Sequence, residues 1–194
     1  MTTGMAILLL GIVLFLGAHT FTTMRTARAG LIERQGEQRY RGLYSLVAGL
    51  GFIMIVWGFI LYRRSGYIPV WDPPIWMKHI TIVLMWFAFV MLAAMHGKGG
   101  RIKGWLRHPM LNAVKTWALA HLLANGDLGS IILFGSLLIW AGYDRFAVKW
   151  RGDLGAPRSD HFTRSDAIVI IAGTVAWIAM ILLHRWLIGV SVFG

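Results

Sequence analysis

The sequence predicts an all-α integral membrane protein with six transmembrane helices, of which the fourth and fifth are short and form a hairpin. The first observation is composition: 57% of the residues are hydrophobic and the mean hydropathy is +0.64. The second is that these apolar residues are grouped into long runs, which is typical of membrane proteins. The third is that the basic residues gather in alternate loops, which sets an orientation across the bilayer.

Four apolar runs are long enough to cross a hydrocarbon core, because about 20 helical residues span about 30 Å. These spans are Met5–Thr23, Leu43–Tyr62, His79–Met95 and Ala167–Leu187. Two shorter runs, Met110–Asn125 and Leu128–Gly142, lie between the third and the last. At 1.5 Å per residue each reaches only about 24 Å. They are joined by the tight turn Asn125–Asp127, so we predict a short helical hairpin.

The net charge of +11 is explained by membrane orientation. The first, third and fifth loops carry five, four and five of the 19 basic residues. The positive-inside rule therefore places these loops in the cytoplasm and both termini outside it. The basic excess indicates attraction to anionic lipids and no nucleic-acid partner.

One domain is predicted over residues 1–194, because no linker is long enough or simple enough in composition to separate two. The apolar run Met5–Leu16 lacks a preceding basic segment, so we interpret it as a retained first helix. The chain contains no cysteine, which excludes disulfides and thiolate metal sites. A metal or haem would need histidine, carboxylate or methionine ligands.

The segment Arg107–Asp127 is the strongest functional signal in the chain. A charged residue inside a bilayer costs about 2.5–3.5 kcal/mol on insertion scales, so it usually serves a ligand, a cavity or a bundle interior. At 100° per residue, His108, Asn112 and Lys115 share one face of this helix. A second face forms a shallow slot suited to a flat macrocycle, and it consists of Ala113, Trp117, Ala120, His121 and Ala124. Lys115 either extends to a headgroup or pairs with an anion such as a haem propionate.

Several pairs of histidines are candidates for axial ligation of one haem iron. His79 and His121 match in predicted depth, as do His19 and His108 on the cytoplasmic side. His19 and His121 differ in depth by about 13 Å. The residues alone leave these pairings open.

Three features together carry a family resemblance over essentially the whole chain. They are His19 in the first helix, the run from Gly36 to Ser45 (GEQRYRGLYS), and the segment Arg107–Asp127. The chain resembles the NnrU family of bacterial membrane proteins, which is associated with nitric oxide and nitrite metabolism. The resemblance implies a multi-pass protein of the bacterial inner (cytoplasmic) membrane.

The chain is also similar to the plant and cyanobacterial 15-cis-zeta-carotene isomerases, which bind haem b through histidines. This resemblance implies haem b as the cofactor and carries the ligand positions onto His19 and His121. A further isomerase histidine falls near Tyr62 and Arg63, where this chain has none, and we expect His79 to serve instead. The predicted metal ligands are therefore His121, His19 and His79, with His108, Lys115 and Trp117 as further cofactor-binding residues.

The leading functional hypothesis is a membrane haem b protein in nitrogen-oxide metabolism. The first alternative is a haem-dependent cis-trans isomerase acting on a hydrophobic polyene. The second rests on Arg107-His108-Pro109, which resembles a triplet of membrane lipid methyltransferases that bind S-adenosylmethionine. The third is an assembly factor for a respiratory or denitrification complex. Hydrolase chemistry finds no support, since Asp72, Asp127, Asp144 and Asp153 are all predicted in loops.

Overall fold

The structure is a computed structural model that describes residues 2–193, and over that range the chain forms eight α-helices. They are α1 (Thr3–Thr23), α2 (Arg25–Gln35), α3 (Glu37–Arg64), α4 (Ile75–His96), α5 (Arg101–Leu106), α6 (Pro109–Ala124), α7 (Leu128–Trp150) and α8 (Arg164–Ile188). The prediction of an all-helical chain is confirmed.

Five of these helices are long and apolar enough to cross a membrane: α1, α3, α4, α7 and α8. Between 11% and 28% of the most apolar window of each helix is buried inside the protein. In α8 only 11% of the most apolar window is buried inside the protein. Exposed apolar residues recur along α3 at Leu46, Leu50, Ile53 and Trp57, which is one continuous stripe. Such a surface requires a lipid environment, so the chain has the character of a multi-pass membrane protein.

The lengths of the two middle helices differ from the prediction in one respect. Helix α6 is short, with 16 residues, as predicted. Helix α7 has 23 residues and continues past Gly142 to Trp150, so the prediction of a short fifth helix is wrong. The extension buries Ala147 and Val148. It also pairs Asp144 with Arg151 at 3.8 Å, so Asp144 is helical and is not in the predicted loop.

The chain divides into two compact units, each described here by itself. The first holds the residues up to Trp71 together with Asp127–Ser136. The second holds Asp72–Gly126 and the chain from Leu137 onwards. Helix α7 begins in the first unit and ends in the second. The prediction of one domain stays a prediction.

In the first unit, antiparallel helices α1 and α3 pack closely through glycines. A Cβ atom at Gly11 would lie 2.6 Å from the backbone nitrogen of Ile55, and one at Gly51 would lie 2.6 Å from that of Phe15. Gly4 and Gly58 are closer still to the backbone of the facing helix. A Cβ atom at Gly49, by contrast, would meet nothing within 4 Å. Small residues permit this approach of two backbones, and dispersion contacts then hold the pair together.

A buried polar cluster closes the far end of the first unit. The Tyr62 side chain is fully buried, and its hydroxyl accepts hydrogen bonds from the backbone N–H groups of Ile68 (2.9 Å) and Gly129 (3.1 Å). Asp127 caps α7, because its carboxylate accepts from the backbone N–H (3.0 Å) and the hydroxyl (2.6 Å) of Ser130. Arg63 adds an ion pair to Asp127 at 3.4 Å.

Tyr62→Phe is expected to lower the free energy of unfolding by about 1–3 kcal/mol, because two buried N–H groups lose their acceptor. Thermal unfolding in detergent, followed by circular dichroism, measures the effect. Tyr67→Phe is the matched control, since the Tyr67 side chain is exposed and its ring, against which Arg63 packs, is retained. Equal stability of the two variants would contradict the role of the Tyr62 hydroxyl.

In the second unit, α4 packs antiparallel to both α6 and α8. The Thr81 hydroxyl donates to the Ala120 carbonyl of α6 at 2.9 Å. Two indole N–H groups join α4 to α8: Trp86 donates to the Thr174 hydroxyl at 2.9 Å, and Trp177 donates to the Ile82 carbonyl at 3.1 Å. Gly173 allows this contact, because a Cβ there would lie 2.6 Å from the Cα of Val90.

Candidate functional site

His19 lies partly buried in the last two turns of α1. Its ring Nδ1 is 2.7 Å from the carbonyl oxygen of Phe15, four residues earlier. The rings of Phe15 and His19 are 4.2 Å apart, and the ring of Tyr44 on α3 is 5.7 Å from that of His19. The imidazole is thus held between two aromatic rings and a backbone carbonyl.

His121 repeats this arrangement in the last turn of α6. Its Nδ1 is 2.9 Å from the carbonyl oxygen of Trp117, again four residues earlier. The rings of Trp117 and His121 are 5.2 Å apart. The Asn125 side chain donates to the His121 carbonyl at 2.8 Å and so closes the end of the helix.

The shared bond has a chemical consequence for both imidazoles. A carbonyl oxygen can only accept, so each Nδ1 carries the hydrogen and each Nε2 carries the lone pair. That tautomer is the one that binds a metal through Nε2, and a backbone carbonyl on Nδ1 is a common way to orient such a ligand. The Nδ1 atom of His184 also faces a backbone carbonyl, 2.7 Å from the oxygen of Val190. This carbonyl lies in the loop after α8, and the residue four positions before His184 has no aromatic ring.

An aromatic cluster extends from His19 towards the start of α3. Tyr40 and Tyr44 stack at 6.4 Å, and Phe21 lies 6.4 Å from Tyr40. The guanidinium of Arg28 lies 5.4 Å above the Tyr40 ring. Tyr40 is 5% exposed, and its hydroxyl has no hydrogen-bond partner among residues 2–193. Sequence reasoning missed this cluster, although the i, i+4 spacing of Tyr40 and Tyr44 is a visible signal.

The polar face predicted on α6 is divided between two cavities of the second unit. Lys115 and Asn112 line one of about 460 Å³, together with Thr116 and apolar residues of neighbouring helices. His108 lines another of about 370 Å³, with Arg107 and Lys103. Neither His121 nor Trp117 is among the described residues that line the Lys115 cavity. The structure therefore brings Trp117 together with His121, and it brings Lys115 together with Asn112.

The other predicted ligand and slot residues differ in their burial. The His79 side chain is exposed in the second turn of α4. The slot alanines Ala113 and Ala120 are buried. Within residues 2–193 no three histidine, cysteine or acidic side chains gather into a metal-ligand group. His19 belongs to the first unit and His121 to the second.

The Arg107-His108-Pro109 triplet forms a strained turn between α5 and α6. Arg107 has a φ of 62°, which is rare for a residue other than glycine. Its guanidinium donates to the carbonyl oxygens of Leu154 (3.2 Å) and Ala156 (3.3 Å). Its own carbonyl accepts from the N–H of Ala156 at 2.9 Å. The hydrogen bonds of Arg107 thus hold the loop after α7 against the start of α6.

These observations define the class: an all-helical, multi-pass membrane protein with two similarly oriented histidines. The NnrU family model matches residues 7–192, nearly the whole chain. The chain therefore belongs to the NnrU family, as the sequence predicted. Comparison with curated proteins and with solved structures gave no match.

Proposed function

We propose that this NnrU-family protein binds haem b in the bacterial inner membrane, through His121 and His19, and takes part in nitric oxide and nitrite metabolism. The observation that carries the proposal is the common geometry of the two histidines. Each Nδ1 faces the carbonyl oxygen four residues earlier, at 2.7 and 2.9 Å, and each ring lies beside an aromatic ring. Both imidazoles thus present a lone pair on Nε2, which a haem iron requires.

The surroundings of His19 also fit the acidic part of the cofactor. Haem carries two propionates, and a buried propionate needs hydrogen-bond donors and positive charge. The orphaned Tyr40 hydroxyl supplies a donor, and Arg28 above its ring supplies the charge. Lys115, the propionate partner predicted from the sequence, lines a cavity that His121 does not line, so this assignment stays a prediction.

The proposal includes a topology. We infer that α6 is a short sixth span beside the five long apolar helices, and that both termini lie outside the cytoplasm. The support is the concentration of basic residues in the α1–α3, α4–α6 and α7–α8 connections. Helix α6 begins at the second of these connections and carries His121 about 18 Å along its axis from Pro109.

Bound haem would supply one-electron redox chemistry. The protein's own residues orient the imidazoles, because each ring has a backbone carbonyl at Nδ1 and an aromatic side chain beside it. Haem-dependent isomerisation of a polyene is an alternative use of the same two histidines, with His79 as a further ligand. A partner in a respiratory or denitrification complex, or an assembly role there, is compatible with the same membrane-embedded site.

We expect detergent-purified protein to carry one haem b per chain, seen in a reduced-minus-oxidised visible spectrum and quantified as the pyridine haemochrome. His121→Ala and His19→Ala should each lower the haem content severalfold or change the iron from six- to five-coordinate. Added imidazole should restore the spectrum of His121→Gly, because it replaces the missing ligand without refolding the chain.

His161→Ala is the matched control, since His161 is an exposed loop histidine and its loss should leave the spectrum unchanged. His79→Ala tests the alternative pairing of His79 with His121. Loss of haem in His79→Ala but not in His19→Ala would show that His79, and not His19, is the second ligand beside His121. Wild-type protein that binds no haem even after haem is supplied would refute the proposal.

A further inference from the structure

Lys115 is a positive charge inside α6 that forms no ion pair with an acidic side chain among residues 2–193. It lies six residues after Pro109, which is about 9 Å along the helix axis. Among residues 2–193, the ion pairs join Arg41 to Glu37, Arg63 to Asp127 and Arg151 to Asp144, and none includes Lys115. A charge at this depth is stable only with a counter-charge or with access to headgroups.

The cavity beside Lys115 is mostly apolar and has a volume of about 460 Å³. That volume falls within the range of about 300–1,000 Å³ typical of small-ligand sites. Its walls include Met91 of α4, Leu119 of α6 and Leu138 of α7. Trp105 of α5 stands at one side and is 82% exposed, as expected for a residue at the membrane interface.

The uncharged polar groups of the cavity are already engaged. The Asn112 amide donates to the Leu106 carbonyl at 2.9 Å. The Thr116 hydroxyl lies 3.9 Å from the sulfur of Met91. Lys115 is therefore the charged group that the cavity offers to a ligand.

Arg145 provides a second positive charge close to the first. It lies five residues before the end of α7, or about 7.5 Å along the axis, whereas Lys115 lies about 9 Å from the start of α6. The two cations repel each other electrostatically. Arg145, like Lys115, has no ion pair with a carboxylate of the described residues. Lys115 lines the apolar cavity and Arg145 is near enough to Lys115 to interact with it electrostatically, so the two charges are complementary to an amphiphile with an anionic head.

We propose that this cavity binds an anionic phospholipid, with its phosphate at Lys115 and Arg145 and an acyl chain along Met91, Leu119 and Leu138. A lipid is favoured over a free anion because the lining is apolar and because both cations lie near the basic, predicted cytoplasmic, ends of their helices. Anionic lipids concentrate in the cytoplasmic leaflet. The proposal is independent of the haem proposal, since His121 does not line this cavity.

The test uses the full-length protein in nanodiscs of phosphatidylglycerol or phosphatidylcholine, with native mass spectrometry to count retained lipid. We expect wild-type protein to retain phosphatidylglycerol selectively and to unfold at a higher temperature in those discs. Lys115→Gln and Arg145→Gln should each weaken retention about fivefold, the effect of removing one basic residue near an anionic membrane. Leu138→Trp, which fills the cavity and keeps both charges, should also reduce retention.

Arg158→Gln is the matched control, because it removes the same charge from an exposed loop position. Equal retention by wild-type and Lys115→Gln protein would overturn the proposal, and so would an equal loss in Arg158→Gln. A gain in unfolding temperature from inorganic phosphate in phosphatidylcholine discs, equal to that from phosphatidylglycerol, would assign the site to a free anion instead. Loss of haem from Lys115→Gln with unchanged lipid retention would assign Lys115 to a propionate and overturn the lipid site.

Discussion

Asp166→Ala is expected to lower the free energy of unfolding by about 3 kcal/mol, because Asp166 caps two helices and each lost cap costs about 1–2 kcal/mol. Its side chain is 1% exposed. At the start of α8, the carboxylate accepts from the backbone N–H (2.7 Å) and the hydroxyl (2.9 Å) of Thr163. At the start of α5 it accepts from the N–H groups of Arg101 (3.1 Å) and Ile102 (2.8 Å).

The alanine variant leaves these donors without an acceptor in a buried place, so α5 should separate from α8. Thermal unfolding in detergent gives the stability, and proteolysis of the loop between α4 and α6 reports the local opening. Asp166→Asn keeps one carbonyl oxygen as an acceptor. It should lower the free energy of unfolding about half as much as Asp166→Ala, since a hydrogen bond to a charged group is about twice as strong as a neutral one. Asp160→Ala, at an exposed loop position, should change stability by less than about 0.5 kcal/mol. A loss in Asp160→Ala equal to that in Asp166→Ala would refute the capping role.

Gly11→Ala is expected to destabilise the α1–α3 pair by about 1–3 kcal/mol, the usual effect of overpacking a tight contact. The added Cβ would lie 2.6 Å from the Ile55 backbone nitrogen and 2.9 Å from the Gly51 carbonyl oxygen. A backbone cannot rotate away as a side chain does, so the two helices must move apart. The stability of the variant in detergent, measured by thermal unfolding, tests this.

Gly17→Ala is the matched control on the same helix, because a Cβ there meets nothing within 4 Å. It should stabilise α1 by up to about 1 kcal/mol, since alanine favours a helix more than glycine does. Gly51→Ala and Gly49→Ala repeat the comparison on α3, with contact at Gly51 and open space at Gly49. Opposite signs within each pair are the expected result. The same sign at Gly11 and Gly17 would refute close packing of the two backbones.

Much of the helical architecture was predictable, and its errors have local causes. The long apolar runs predicted α1, α3, α4 and α8 because hydropathy adds up residue by residue along the chain. Helices α2 and α5 were missed since both lie in basic loops, and α5 has only six residues. The end of α7 was missed because its last turns carry the charged residues Asp144, Arg145 and Lys149, which are typical of a loop. The ion pair between Arg151 and Asp144 is visible only in the structure.

The candidate site was predictable only in part. His19 and His121 were identified because a polar imidazole inside an apolar membrane helix is energetically costly, and such residues usually have a functional role. Their bonds to Phe15 and Trp117 could be anticipated from the four-residue spacing, but the ring orientation could not. Tyr40 lies in the Gly36–Ser45 run, but that run does not show that the Arg28 guanidinium lies above the Tyr40 ring. The Thr163-to-Asp166 spacing resembles a capping box, whereas its contact with α5 depends on residues about 65 positions away.

That this NnrU-family chain is a helical membrane protein follows from its apolar runs, because insertion into a bilayer depends on the local sum of side-chain transfer free energies. Which side of each helix meets protein becomes visible in the packed structure. A membrane helix is apolar all round, so its sequence does not distinguish a lipid-facing stripe from a packing stripe. That is why Gly51 and not Gly49 meets α1, and why Lys115 and His121, on one short helix, belong to different surroundings.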